Sequence, residues 1–172
     1  NHLFRNVDGE RFTETTSEVG VAGDPDAWST SAAFLDYDRD GDLDVFVLTN
    51  QLFRPGGRPA QPPIEKLADG RLRLKPEFEK YYAMTEVSPG NFQADDVGRP
   101  DFLMRNETGN SSGLPRFVPA AEAAGINHRG FGLSVQWWDF DDDGWLDLFV
   151  GNDYSDPDYL YRSRRDGPFQ NV

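Results

Sequence analysis

The chain contains no cysteine, only two histidines and two methionines, and no long apolar run. The absence of cysteine excludes disulfides and thiolate metal sites, and it leaves the cellular compartment open. No apolar run approaches the roughly 20 residues that cross a bilayer, so no membrane insertion is expected. The sequence begins at Asn1 with neither an initiator Met nor a signal-peptide core, which predicts a processed or trimmed start.

Basic residues are also scarce, since 17 Lys and Arg stand against 30 Asp and Glu and leave a formal net charge of -13. Phosphate binding needs clustered positive charge, so we expect no nucleic acid partner, and anionic membranes are disfavoured. The acidic excess is concentrated, because ten Asp fall within residues 36–44 and 139–147. Such local crowding of carboxylates predicts a bound cation.

Catalytic side chains are few, because the chain offers only His2 and His128 as imidazole bases and has no thiol. No triad of nucleophile, acid and base can be assembled from the sequence. His128 lies in segment 125–130, between two glycines, and is interpreted as a loop residue. The carboxylate pairs could suggest glycoside hydrolysis, but their repetition favours metal binding. The sequence therefore predicts a protein that is not an enzyme.

Glycine and proline are frequent, with 17 and 12 copies, and aromatic residues make up 13% of the chain. This composition suits many short strands joined by tight turns better than it suits long helices. With 37% hydrophobic residues, a chain of 172 residues can build a packed core. We therefore expect an all-β fold in one domain.

An internal repeat organises the chain into units at about residues 1–50, 101–153 and 158–172. The shared features are a strand with Leu-x-Arg (NHLFRN, DFLMRN and DYLYR), a Phe-containing stretch (RFT and RFV), and an alternating stretch that leads into an Asp cluster. The third copy begins at Asp158 and reaches Phe169. Self-similarity of this kind predicts stacked structural units.

Each unit is interpreted as four short strands, which is the strand number of a propeller blade. We expect two complete four-stranded β-propeller blades, at residues 32 to about 119 and 133–172, preceded by a half blade at residues 2–15. Propellers close with about 4 to 8 blades, so the chain is either a fragment or a subunit. Its unpaired strand edges predict completion by missing sequence or self-association with another chain.

A long insertion at about residues 54–98 breaks the repeat. It carries six prolines and several glycines and lacks clean periodicity. A short helix or hairpin within residues 64–82 and a surface loop with some local order are both compatible with its sequence. The role of the insertion does not follow from the sequence.

The chemistry lies in residues 36–44 (DYDRDGDLD) and 139–147 (DFDDDGWLD), which we call the first and second acidic loops. Both follow D-x-D-x-D-G-x-x-D. Carboxylates at positions 1, 3, 5 and 9 can converge on a hard cation, the carbonyl at position 7 can add an oxygen, and Gly at position 6 permits a sharp turn. The predicted metal-site residues are Asp36, Asp38, Asp40, Asp42, Asp44, Asp139, Asp141, Asp143, Trp145 and Asp147.

Calcium suits these loops best, because it takes about 6 to 8 oxygen ligands. Magnesium prefers a smaller octahedron that retains waters, and zinc lacks the His and Cys ligands it favours. An EF-hand is excluded, since position 12 is Val47 in one loop and Val150 in the other, where a Glu would be required. The alternative of an ordinary solvated turn is weakened by two matched copies. We therefore predict two calcium sites.

These motifs resemble the FG-GAP/VCBS repeats found in integrin α-subunit propellers and in bacterial and animal proteins similar to cartilage acidic protein. The resemblance covers most of the chain outside residues 54–98. It implies blades with calcium in the hairpin loop, bound by the Asp residues at positions 1, 3, 5 and 9 of each loop. It also implies an extracellular or cell-surface setting. The glycosylation sequons at Asn106 and Asn110 are compatible with such a setting.

Two functional classes follow. One is a calcium-binding module for adhesion, ligand binding or scaffolding, with a protein or carbohydrate partner. The other is a structural subunit of an extracellular assembly or fibre that is completed by strand pairing between chains. Trp137 and Trp138 are expected to pack between blades. Trp145 lies in the second acidic loop, where packing and ligand contact stay open.

Overall fold

The fold was described from a computed structural model, which covers residues 1–52, 54, 56–107, 114–153, 156–165 and 167–172. It is all-β, as predicted, with several small antiparallel sheets. Helical structure among these residues is confined to α1 (Thr16–Val19) and a 3-10 turn at Pro76–Phe78. None of the described helices is long and apolar enough to span a membrane.

Fourteen strands account for the regular structure of the described residues. They are β1 (Phe4–Val7), β2 (Arg11–Glu14), β3 (Ala27–Leu35), β4 (Asp44–Leu52), β5 (Ile64–Lys66), β6 (Leu72–Leu74), β7 (Tyr82–Ser88), β8 (Asn91–Asp96), β9 (Phe102–Asn106), β10 (Phe117–Pro119), β11 (Gly132–Trp138), β12 (Asp147–Asn152), β13 (Tyr159–Arg164) and β14 (Gly167–Asn171).

Two four-stranded antiparallel sheets form the body of the molecule. The first sheet has the order β3-β4-β9-β10 and the second has the order β11-β12-β13-β14. Both sheets therefore run from a long first strand through an apolar second strand to two outer strands. Strands β1 and β2 form a separate two-stranded sheet. The strands of these sheets come from the segments that the repeat marks, and within the described part of the chain they form no closed ring.

The two large sheets also share their register. In the first sheet Val45 lies opposite Met104, and in the second sheet Leu148 lies opposite Tyr161. These are corresponding positions of the repeat. Because a slip of one residue would turn every side chain to the other face, the shared register preserves the same buried face in both sheets.

The main core lies between the two sheets. Strand β11 packs against β3 and β4. Phe46, Leu48 and Leu103 of the first sheet and Leu148 and Val150 of the second are completely buried. A second core covers the opposite face of the first sheet, where Val45, Val47, Met104 and Phe117 meet Val19 and Val21 from the chain after β2. The second sheet thus covers one face of the first sheet, and the chain after β2 covers part of the other face.

The insertion contains two hairpins. Strands β5 and β6 pair antiparallel, and so do β7 and β8. A hairpin within residues 64–82 was one of the sequence-based alternatives, whereas the hairpin of β7 and β8 was not predicted. Its strands carry Glu, Asp, Gln and Asn among the apolar residues, and most of their side chains are exposed. Such strands lack the buried face that makes a strand visible in a sequence.

Two glycines fix how each unit leads into the next sheet. Gly20 and Gly125 occupy corresponding places and have φ of 87° and 77°. A Cβ on Gly20 would lie 2.9 Å from the Phe117 carbonyl oxygen, and one on Gly125 would lie 2.8 Å from the Phe169 carbonyl oxygen. Both positions therefore need glycine for conformation and for space.

We predict that Gly125→Ala costs distinctly more stability than Gly90→Ala. Gly90 also has a positive φ, of 78°, but a Cβ there would meet nothing within 4 Å. The Gly90 variant should lose about 1 kcal/mol of unfolding free energy from the backbone alone, and Gly125→Ala about 1 to 3 kcal/mol more from the contact with strand β14. Urea denaturation would measure both. Equal losses of unfolding free energy in the two variants would show that strand β14 shifts away from the added methyl group without an energetic penalty.

Candidate metal-binding loops

The two acidic loops are hairpin loops set in the same register. The first joins β3 to β4, and the second joins β11 to β12. Leu35 pairs with Asp44 across the mouth of the first loop, and Trp138 pairs with Asp147 across the second. The nine-residue motif therefore begins and ends at the same points of the two sheets.

Both loops also bend in the same way. The residues at position 4, Arg39 and Asp142, have φ of 61° and 57°. The glycines at position 6, Gly41 and Gly144, have φ of 94° and 88°. The turn predicted at the glycine is present, but a left-handed residue at position 4 was not foreseen. A non-glycine residue in this conformation carries some strain, which is common where a ligand site constrains the backbone.

The first carboxylate of each loop closes the turn. The Gly41 N–H donates to Asp36 Oδ2 at 3.1 Å, and the Gly144 N–H donates to Asp139 Oδ2 at 2.7 Å. Each bond uses one oxygen of the Asp and folds the loop back over its own start. The loops thus bring position 6 close to position 1 by side-chain bonds to the main chain.

Positions 5 and 7 are linked in both loops. The N–H of Asp42 donates to Asp40 Oδ1 and the N–H of Trp145 donates to Asp143 Oδ1, each at 2.9 Å. The residues at position 7 were predicted to offer a carbonyl oxygen to the ion. Their position beside the carboxylates at position 5 is compatible with that role.

The carboxylates at position 9 are buried and hold the loop against the sheet. Asp44 is 0% exposed and Asp147 is 1% exposed. Each accepts one main-chain bond from its own loop and one from the third strand of its sheet. The donors are Tyr37 and Asn106 for Asp44, at 3.1 and 2.8 Å, and Phe140 and Ser163 for Asp147, at 3.0 and 2.7 Å.

Three carboxylates converge in each loop. Their oxygens lie within 4.8 Å of one another, and the groups are Asp36, Asp38 and Asp40 in the first loop and Asp139, Asp141 and Asp147 in the second. Within the described part of the chain, Asp44 and Asp143 fall outside these groups. Asp44 lies outside although it accepts the same two main-chain bonds as Asp147, which lies inside. Asp143 accepts the Trp145 N–H and lies 3.8 Å from the Arg165 side chain.

Some carboxylate oxygens inside the loops are buried without a protein partner. Among the described residues, Asp36 Oδ1, Asp38 Oδ1 and Asp141 Oδ1 accept no hydrogen bond. A buried carboxylate oxygen without a donor costs free energy, because it has lost its water. A cation shared by these oxygens would remove that cost. The residues present thus fit a hard cation, since the donors at each loop are oxygens and include no His nitrogen.

The charge state of the first loop reflects the same crowding. Burial raises the pKa of Asp44 to about 6, and repulsion from Asp38 and Asp40 acts in the same direction, against its two main-chain hydrogen bonds. Burial also raises the pKa of Asp38, with repulsion from Asp40 and Asp36 adding to it. These carboxylates therefore resist ionising together until positive charge arrives.

Arginines join the two loops to each other and to the sheet. The Arg39 side chain of the first loop donates to the Gly144 carbonyl of the second at 3.0 Å. Its guanidinium also lies 5.0 Å from the centre of the Trp145 ring. Arg162 of β13 lies 2.5 Å from Asp141 Oδ2. The loops are thus in direct contact, which their separation in sequence did not indicate.

The two tryptophans at the end of β11 have different surroundings. Trp137 contacts Phe46 and Phe169 edge-on, with ring centres 5.5 and 5.9 Å apart, so it packs between the two sheets. Trp138 contacts Phe149 at 6.3 Å but stays 40% exposed. The packing expectation therefore fits Trp137 better than Trp138.

A buried polar network lies outside the acidic loops. His128 is in a loop, as interpreted from the sequence, but its Nε2 lies 3.1 Å from Asp101 Oδ2 and its Nδ1 lies 2.5 Å from the Tyr161 hydroxyl. Asp101 also accepts the Thr49 N–H at 2.7 Å. The network joins the two sheets, and no motif in the sequence signalled it because its members are far apart in the chain.

The two sequons differ in what the structure shows of them. Asn106 is buried, its side-chain amide donates to the Leu43 carbonyl at 3.1 Å, and its main-chain N–H is bonded to Asp44. A glycan on Nδ2 would have to displace the groups that bury this side chain. Asn110 lies outside the described residues.

Comparison with known proteins adds no family. No protein-family profile matches the chain, and no curated protein matches it.

We predict that acidification stabilises the calcium-free protein through Asp44. Its pKa is about 6 in the folded protein and about 3.9 in an unfolded chain, so the folded state binds the proton more tightly. This contribution is complete below about pH 4 and is lost as the pH rises through about 6. Urea denaturation measures the unfolding free energy at about pH 7 and at about pH 4.5. Lowering the pH should stabilise Asp44→Asn less, or destabilise it more, than it does the wild type.

Asp142→Asn is the charge-matched control, because this exposed residue of the second loop carries the same formal charge. If wild type and Asp44→Asn respond equally to pH, Asp44 is not the group that binds the proton.

Proposed function

We propose that this chain is a calcium-binding module of an extracellular β-propeller of the FG-GAP/VCBS type, which binds or scaffolds and does not catalyse. One observation carries the proposal: two loops far apart in the sequence repeat the same main-chain bonds and both keep buried carboxylate oxygens without a protein donor. Turn formation alone needs no such oxygens.

The sheets support the propeller interpretation. Each large sheet has four antiparallel strands, and the sheets pack face to face with β3 and β11 as the first strands. Propellers are built from four-stranded sheets that stack one repeat after another, so this arrangement is compatible with blades. The chain then provides two complete blades and the outer half of a third.

The ligands follow from the repeat. Asp36, Asp38, Asp40 and Asp44 would hold one ion, and Asp139, Asp141, Asp143 and Asp147 would hold the other, with the carbonyls of Asp42 and Trp145 completing each set. Bound calcium supplies the positive charge that lets crowded carboxylates ionise together. The carboxylates at position 9 then couple ordering of the loop to the third strand, because Asp44 also accepts the Asn106 N–H and Asp147 also accepts the Ser163 N–H.

The absence of catalysis fits the burial of the polar network. His128 is 9% exposed and Tyr161 is 2% exposed, so neither can reach a substrate in this arrangement. Burial also raises the pKa of Tyr161 to about 12, which keeps its hydroxyl protonated. The network is suited to joining the two sheets.

A partner surface is offered by the insertion. A groove of about 430 Å³ lies between its two hairpins, lined by Lys66, Arg71, Met84 and Phe92 among others. Lys66 and the ion pair of Arg71 with Asp69 border apolar side chains there, on a chain with a net negative charge. An acidic protein surface or a carbohydrate with acid groups would complement it. An extracellular setting provides the calcium concentration at which loops of modest affinity are filled.

We predict two calcium sites that can be lost separately. Isothermal titration calorimetry should give two sites for the wild type, and Asp38→Asn and Asp141→Asn should each weaken one site at least about ten-fold. Each variant removes a carboxylate whose buried oxygen has no protein donor. In calcium at about 100 times the dissociation constant, each site should add about 2.7 kcal/mol to the unfolding free energy.

Asp142→Asn is again the matched control, since it removes one charge beside Asp141 but alters no proposed ligand. It should keep both sites. The absence of bound calcium, together with equal melting temperatures in calcium and in EDTA, would reduce both loops to acidic turns and reject the proposal.

A further inference from the structure

The small sheet of β1 and β2 corresponds to the outer half of a large sheet. Asn6 lies opposite Phe12, and the corresponding Asn106 lies opposite Phe117. The Thr15 N–H donates to the Leu3 carbonyl at 2.9 Å, and the corresponding Ala120 N–H donates to the Leu103 carbonyl at 2.8 Å. The pair β1-β2 therefore has the register of β9-β10, but among the described residues no third strand pairs with it.

The free edge of β1 carries the same kind of groups that β9 and β13 use to bind an acidic loop in the complete sheets. In the complete sheets the N–H of Asn106 binds Asp44 and the N–H of Ser163 binds Asp147. Asn6 is the corresponding residue of β1. The Leu3 carbonyl bonds to the Thr15 N–H, so Leu3 and every second residue along β1 direct their N–H and C=O groups toward β2. Asn6 lies at an intervening position, and its N–H points away from β2. Arg5 is exposed and corresponds to Arg162, whose partner is Asp141 in the second acidic loop, and to Arg105, whose partner is Glu107 outside the first.

The face beside this edge is incompletely covered. Phe34 of β3 corresponds to Trp137 of β11, which packs on Phe46 of the preceding sheet. Phe34 itself is 56% exposed. It lines a groove of about 360 Å³ together with Leu3, Val21, Val45 and Val47. In the first sheet, β4 pairs with β9 and β3 pairs with β4. Two further strands added to β1 in the same order would cover this groove.

We propose that the edge of β1 and the groove over Phe34 together accept a β-hairpin of this same repeat: two antiparallel strands joined by a D-x-D-x-D-G-x-x-D loop. The Asp at position 9 of that loop accepts the Asn6 N–H, and Arg5 pairs with the Asp at position 3. The hairpin completes a four-stranded sheet, and its strands pack on Phe34 as β3 and β4 pack on β11. This inference rests on the propeller arrangement of the proposed function, but it does not require calcium.

The test adds a copy of residues 132–157 directly before Asn1 of the full chain. These residues form β11, the second acidic loop, β12 and the connection to β13, so they reach the edge of β1 with the natural spacing. A tethered hairpin is preferred because an isolated two-stranded hairpin is marginally stable. We expect hydrogen exchange at the Asn6 amide to slow at least about ten-fold relative to the chain alone.

Two variants make the result specific. Asp147→Ala in the added copy alone should restore fast exchange at Asn6. Phe34→Ser should lower the population of the docked hairpin at least about five-fold, since it truncates a side chain at the centre of the contact. Phe92→Ser is the matched control: Phe92 lies on β8 of the insertion, is 39% exposed and does not line the groove.

The outcomes separate docking from calcium binding. Slow exchange at Asn6 in EDTA, lost with Asp147→Ala in the added copy, supports docking even if no calcium binds. Unchanged exchange at Asn6 in both calcium and EDTA, with equal effects of Phe34→Ser and Phe92→Ser, overturns docking whatever the calcium titration shows.

Discussion

The carboxylates at the ninth position of the acidic loops hold each repeat together. Asp44 and Asp147 are buried, and each bonds its own loop on one side and the third strand of its sheet on the other. Burying an ionised carboxylate is costly unless donors surround it, so removing either donor would leave the full desolvation cost unmatched. The same carboxylate therefore fixes the conformation of the loop and the position of the third strand, so that ordering the loop also orders the sheet.

Contacts between the two sheets extend this constraint across the molecule. Arg39 binds the second loop from the first, and the buried network of Asp101, His128 and Tyr161 also joins the two sheets. The apolar core around Phe46 and Trp137 lies between the same sheets. Because a neutral His128 can donate to Asp101 and accept from Tyr161, the network is satisfied without an extra charge.

Residues with a periodic or repeated pattern were predictable, and those brought together only by packing were not. The acidic loops fall between strands as expected, because Asp and Gly recur at fixed spacing beside alternating apolar residues. Which carboxylates converge did not follow from the motif, because Asp44 lies outside its group whereas Asp147, with the same two main-chain bonds, lies inside the other. The contact of Arg39 with Trp145 depends on how two sheets stack, and β7 and β8 lack a buried face.

The insertion shows how strongly the repeat determines the pairing of its strands. The connection from β4 to β9 is about eight times longer than that from β12 to β13, yet the register of the two pairs is the same. Loop closure explains the tolerance, because such a lengthening costs only about 2 kcal/mol. The pairing is held at both ends: Asp44 binds Asn106 at one, and Asp101 binds Thr49 at the other, as Asp158 binds Asn152 in the second sheet. A long segment can therefore project from this point and carry a binding surface without changing the sheet that supports it.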